Sequence, residues 1–121
     1  MAENRFALIV EDEVHVAQIL SRAMEMADFK TEVIHDGKTA SERLAAIIPN
    51  LVVLDLNLPH VSGMAILDQL RADERLTKTK VMVVTADIVR ADAVRCQADV
   101  VLIKPASIRQ LVNAATHLCP L

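Results

Sequence analysis

Tryptophan and tyrosine are absent from this chain of 121 residues, and the only phenylalanines are Phe6 and Phe29. Bases and sugar rings therefore have no stacking platform. The core has to be assembled from Val, Ile, Leu, Ala and Met. Basic runs are missing as well: the net charge is −3, which argues against a nucleic-acid groove. No signal peptide opens the sequence, and no stretch of about 20 apolar residues interrupts it. A soluble, cytoplasmic protein that does not engage a membrane is expected. Cys96 and Cys119 form no CxxC, and no histidine stands at zinc-ligand spacing from either. They read as free thiols in a reducing compartment. His15, His35, His60 and His117 are dispersed and read as surface or loop residues, with His15 and His60 expected in loops near the site developed below. Repeats, low-complexity tracts and linkers are also absent. The length suits one compact domain over 1–121.

Hydrophobic residues make up 53% of the chain, enough to cover both faces of a buried sheet, and their spacing alternates between two patterns. Phe6-Ala-Leu-Ile-Val10 is a continuous apolar run, as a strand buried on both faces requires. From Val14 the period becomes helical, with Val16, Ala17, Leu20, Met24 and Ala27 on one stripe. A second strand over Thr31–Ile34 closes at the turn pair Asp36-Gly37. A second helix carries Ala40, Leu44 and Ile47 and stops at Pro49-Asn50. Leu51–Leu54 is the third strand. Pro59 and Gly63 bracket a loop, after which Met64, Leu67 and Leu70 mark a third helix. Val81–Val84 and Val100–Ile103 are the fourth and fifth strands. Between them, 88–96 forms the weakest helix, with small and few apolar positions. Ser107 and Gln110 make a capping box for the last helix, striped by Ile108, Leu111, Val112 and Ala115. Five strands alternating with five helices through short connections imply a three-layer α/β fold: a doubly wound, five-stranded parallel sheet with helices on both faces.

Polar residues come directly off the carboxyl ends of these strands: Glu11-Asp12, Asp55, Thr85 and Lys104-Pro105. In an open α/β sheet, ligands bind in the crevice outside those ends. Three carboxylates, a hydroxyl and an ammonium would therefore converge. Crowded carboxylates raise one another's pKa unless a cation compensates. Mg²⁺, with its preference for carboxylate, water and phosphate oxygens, is the natural compensation. Lys104 can hold a phosphoryl oxygen as a point charge, and Thr85 can donate to another. Asp55, at the tip of the central strand, is placed to attack phosphorus and form an acyl phosphate. Ala86 is small and leaves the cleft open. Each residue alone has a plain reading, such as Glu11-Asp12 capping a helix or Lys104-Pro105 making a turn. Their joint occurrence at strand ends favours the phosphoryl site.

These residues resemble the receiver domain of two-component response regulators. The carriers are Leu8-Ile-Val-Glu-Asp-Glu13, Val52-Val-Leu-Asp-Leu-Asn-Leu-Pro59 with Ser62-Gly63, Val83-Val-Thr-Ala86 and Leu102-Ile-Lys-Pro105, and the resemblance covers essentially the whole chain. It implies strand order 2-1-3-4-5 and Asp55 as phosphoacceptor for a sensor histidine kinase or histidine phosphotransfer protein. It further implies Mg²⁺ bound directly by Asp12 and Asp55, through water by Glu11 and through the backbone carbonyl of Asn57. Thr85 and Lys104 would contact phosphoryl oxygens, Asn57 and Asp87 would tune dephosphorylation, and Lys104-Pro105 would be cis. Such a domain signals rather than turning over a substrate, its chemistry being limited to Mg²⁺-dependent self-phosphorylation and autodephosphorylation. The downstream protein or fused output domain is not specified.

The sequence departs from the family pattern at its switch. An aromatic usually stands three residues before the lysine and moves inward as the threonine turns toward the phosphate; that place is Val101. Ala106 replaces a frequent Phe after Lys-Pro, and Gln97 a usual Gly. Signalling through backbone motion over Thr85–Val89 is the expectation that follows. The resemblance leaves room for a homodimer through the face of the fourth helix, fifth strand and fifth helix, although Val100 and Arg109 do not complete the charge pattern seen there in DNA-binding regulators. Two other functions compete. An aspartyl phosphohydrolase would want an acid where Asn57 stands and usually a cap domain. A non-phosphorylated pseudo-receiver, acting as a protein-interaction module, would typically have lost an acid, the threonine or the lysine.

Overall fold

The computed structural model describes residues 5–121. Five parallel strands, β1 (Phe6–Val10), β2 (Lys30–Ile34), β3 (Leu51–Leu54), β4 (Lys80–Thr85) and β5 (Val100–Ile103), stand in the order β2-β1-β3-β4-β5. Five helices alternate with them: α1 (Val14–Met26), α2 (Gly37–Leu44), α3 (Gly63–Ala72), α4 (Ile88–Ala93) and α5 (Ile108–Leu118). A 3₁₀ turn at Glu74–Leu76 precedes β4. The chain winds one way from β1 to β2 and the other way from β3 onward. A crevice therefore opens at the carboxyl ends of β1 and β3.

The side-chain period of two divides each strand between two cores. Leu8, Val10, Val52, Leu54, Val81 and Val83 face one layer, completed by Ala40 and Leu44 of α2 and Ile66, Leu67 and Leu70 of α3. Ala7, Ile9, Leu51, Val53, Met82 and Val84 face the other, completed by Leu20, Ala23 and Met24 of α1 and by Leu111 and Ala115 of α5. The continuous apolar runs of β1 and β3 are what burial on both faces demands. With so little aromatic volume, the packing is aliphatic, and Phe29 is the one phenylalanine in the buried core, with Arg5 lying over its ring at 4.2 Å.

Three local readings of the sequence are corrected. Asp36-Gly37 does not merely close β2. Asp36 caps α2, its carboxylate accepting the Thr39 N–H at 2.7 Å, and Gly37 is the first helical residue. Ile47 lies outside α2, which ends at Leu44, where the Arg75 guanidinium donates to the Leu44 carbonyl at 2.8 Å. Ile47 still packs on the core beside α2. The fourth helix stops at Ala93 rather than reaching Cys96; its C-cap, Val94, leaves helical geometry with φ −104° and ψ 4° and is fully buried. Only Ala91 of α4 is buried, while Ile88 and Val89 are 67% and 81% exposed.

Candidate functional site

The strand ladders fix the site before any side chain is considered. Val10 pairs with both Ile34 and Leu54, and Thr85 pairs with Ile103. Hydrogen bonding continues one residue past three of the strands: Glu11 N–H donates to Ile34 O at 2.9 Å, Asp55 N–H to Val10 O at 3.0 Å and Lys104 N–H to Thr85 O at 2.9 Å. Glu11, Asp55 and Lys104 are thus held at one level of the sheet edge. Thr85 is the last residue of β4 rather than the first beyond it. Asp12, one step further along, is exposed.

The side chains meet where the backbone sets them. Lys104 Nζ donates to Glu11 Oε1 at 2.7 Å and to Asp55 Oδ2 at 3.1 Å. Glu11 is fully buried and Asp55 is 5% exposed. One carboxylate oxygen from each of Glu11, Asp12 and Asp55 falls within 4.8 Å of the others. Burial raises the Glu11 pKa above the ordinary carboxylate value, with the nearby Asp55 charge adding to it; the Lys104 hydrogen bond and the Glu13 N–H pull it back only in part. Burial pulls the Lys104 pKa down, but its hydrogen bonds to Glu11 and Asp55 outweigh this and hold it above the usual lysine value. Three carboxylates facing one ammonium leave two negative charges when all are ionised. An all-oxygen donor set with that deficit and one open, solvent-facing acid fits a hard divalent cation such as Mg²⁺.

Around this centre, Thr85 is fully buried and its hydroxyl accepts the Asp87 N–H at 3.1 Å. Asp87 caps α4, accepting the Arg90 N–H at 3.0 Å. Asn57 follows Asp55 in the β3–α3 loop, its N–H 3.4 Å from Asp55 Oδ1. The Lys104-Pro105 peptide is cis. Val101 lies away from the carboxyl edge, paired with Val83 and half-buried against the core under α3. His60 is in the β3–α3 loop with φ 72°, whereas His15 is in the first turn of α1, not in a loop, and pairs with Glu13 at 3.4 Å.

Two contributors, His35 and Arg90, were not visible in the sequence. The Nδ1 of His35 is 2.9 Å from the Glu11 carbonyl oxygen. Arg90 Nη1 donates to Asn57 Oδ1 at 2.9 Å across 33 residues of sequence; its place three residues after Asp87 signals only the Asp87 pair. Gly63, which the sequence marked as a loop boundary, abuts the Asp55 loop, where a β-carbon would fall 2.2 Å from Asp55 O.

The sequence model of the response regulator receiver domain matches residues 7–116. The chain belongs to the response regulator receiver family. As such it is a signal-transduction module of two-component systems, whose members work with histidine kinases and output domains. It is 35% identical over 111 residues to the regulatory protein AtoC of Escherichia coli, covering 91% of this chain and 24% of that protein. It is 36% identical over 129 residues to the probable methanogenesis regulatory protein FilR2 of Methanothrix harundinacea, covering 97% of this chain and 83% of that protein. Among solved structures, a CheY-like receiver domain from Methylobacillus flagellatus superposes with a TM-score of 0.84 at 29% identity, covering 95% of this chain and 98% of the other. This receiver domain thus spans only about a quarter of AtoC. Among its described residues, no helix is long and apolar enough to cross a membrane.

Proposed function

We propose that residues 1–121 act as one cytoplasmic phosphoacceptor domain, taking a phosphoryl group on Asp55 from a sensor histidine kinase or histidine phosphotransfer protein. The observation that carries this reading is Lys104, its ammonium hydrogen-bonded to Asp55 and Glu11 at the carboxyl edge of the sheet. Asp55 attacks phosphorus through a carboxylate oxygen, and the bond to the donor breaks in line with it. Lys104 turns to a phosphoryl oxygen and offsets its charge. The Thr85 hydroxyl, which accepts the Asp87 N–H, rotates to donate to a second oxygen. Asp12 and Asp55 directly, Glu11 through water and the Asn57 carbonyl would hold Mg²⁺. When bound, it would neutralise charge on the phosphoryl oxygens. Retention of all three acids, the threonine and the lysine disfavours the pseudo-receiver.

Rotation of Thr85 breaks the hydroxyl's contact with the Asp87 N–H, which begins α4. Val101 has neither the reach nor a hydroxyl to follow it, so the change passes into backbone 85–97. This stretch has few buried anchors, as expected of an element that switches. Its consequence is read at the α4-β5-α5 face, where a partner, an output domain or a second copy would bind. Amide exchange with Mg²⁺ and beryllofluoride, a phosphoryl mimic, tests the reading. Altered exchange across 85–97, absent in Asp55→Asn, is expected; unchanged exchange there would sink it.

A further inference from the structure

Arg90 ties the loop that carries Asn57 to the start of α4. Its Nη1 donates to Asn57 Oδ1 at 2.9 Å, and its Nε lies 3.5 Å from Asp87 Oδ2. The other Asp87 oxygen accepts the Arg90 backbone N–H at 3.0 Å. Both oxygens of Asp87 are therefore committed to one residue. Asn57 serves as the anchor that keeps the guanidinium stretched across the mouth of the site. The Arg90 side chain remains half-exposed, and no core residue depends on it.

We propose that Arg90 is a positioning residue that slows loss of the Asp55 phosphoryl group by withholding the Asp87 carboxylate from the attacking water. This rests on Asp55 being the phosphoacceptor. In hydrolysis, the water oxygen forms a bond to phosphorus opposite Asp55. The bond between phosphorus and the Asp55 oxygen breaks, and its electron pair returns to the carboxylate. The water proton leaves with the inorganic phosphate or through a neighbouring base. Asp87, two residues beyond Thr85, is the acidic side chain on the α4 side of the site able to orient that water. A carboxylate whose Oδ2 is engaged by the Arg90 guanidinium does so poorly, whereas one freed on that oxygen, with Oδ1 still capping the helix, does so well. A well-placed general base contributes a hundredfold or more, and orientation of water without full proton transfer less. The expected effect of releasing Asp87 is about tenfold.

The test follows the phosphorylated protein by intact mass after phosphorylation with acetyl phosphate and Mg²⁺ and removal of the donor. Arg90→Ala is expected to lose its phosphoryl mass about tenfold faster than the wild type, with an unchanged thermal midpoint. Arg90→Lys, whose single ammonium cannot grip Asn57 Oδ1 and Asp87 Oδ2 together, should fall between them. In an Asp87→Ala background, adding Arg90→Ala should change nothing, which a merely structural role for Arg90 would not predict. Decay in Arg90→Ala equal to or slower than wild type overturns the proposal, as does an equal acceleration in the Asp87→Ala background. Failure of the wild type itself to take a phosphoryl group would instead overturn the assignment of Asp55.

Discussion

Gly63→Ala should lower the stability of this domain by about 3 kcal/mol, or about 10 °C in Tm. Gly63 opens α3 behind its cap Ser62, and its N–H donates to Leu56 O at 3.0 Å. A β-carbon there would fall 2.2 Å from Asp55 O and 2.5 Å from Leu56 Cα. Both are backbone atoms of the segment leaving β3, pinned by the Asp55 N–H bond to Val10 O. Neither can swing aside as a flexible side chain would. Either α3 or the Asp55 loop must move, so the variant loses packing and displaces Asp55 together. Gly37→Ala is the informative comparison. Its β-carbon would come nearer still, 1.8 Å from Val61 O, but Val61 is a half-buried loop residue, whereas Asp55 is tied directly to the sheet. The smaller loss is expected there despite the closer overlap. Urea unfolding followed by far-UV circular dichroism ranks the two, and the reverse order would show that the Asp55 loop yields more readily than its hydrogen bonds suggest.

The second large effect is expected from Lys104→Met. Methionine fills the space of the lysine stem but leaves Glu11 and Asp55 without their cation. Removing one partner of a buried ion pair costs about 3–5 kcal/mol, because the remaining charge stays desolvated. Lys104 is 21% exposed, which places the expected cost near the lower limit, about 3 kcal/mol without divalent metal. Saturating Mg²⁺ should return a good part of it, since a cation among the three carboxylates replaces the missing charge and binds only the folded site. Lys104→Arg, which keeps the charge, should lose less than Lys104→Met. Equal stability of Lys104→Met and wild type in metal-free buffer would mean that water already screens the two acids.

The two variants probe different layers of the same construction, and those layers were unequally legible in the sequence. β1, β3 and β4 could be read because strands buried on both faces must be continuous aliphatic runs, and the residue leaving each run stood out by its polarity. Glu11, Asp12, Asp55, Thr85 and Lys104 could then be placed at one sheet edge, since parallel strands send their carboxyl ends the same way. Contacts between distant loops were not legible. Nothing local to Arg90 announces Asn57, 33 residues earlier, because the pair depends on how far α4 sits from the β3–α3 loop. Helix ends suffered for a related reason. At the end of α2 the Leu44 carbonyl is met by Arg75, 31 residues later, and at the end of α4 Val94 is buried in the core, contacts that no local pattern displays. Gly37 looked like a turn residue because glycine usually is one. Its actual constraint is the approach of Val61 from a different loop.

The proposed function requires Asp55 to accept a phosphoryl group. Without tyrosine or tryptophan, fluorescence and absorbance offer little, so intact mass after incubation with acetyl phosphate and Mg²⁺ is the direct measurement. A labile increase of one phosphoryl group is the predicted result, lost when EDTA is added beforehand and lost in Asp55→Asn. A folded wild-type protein that gains no mass from acetyl phosphate, nor from a phosphorylated histidine kinase with Mg²⁺ present, would contradict it.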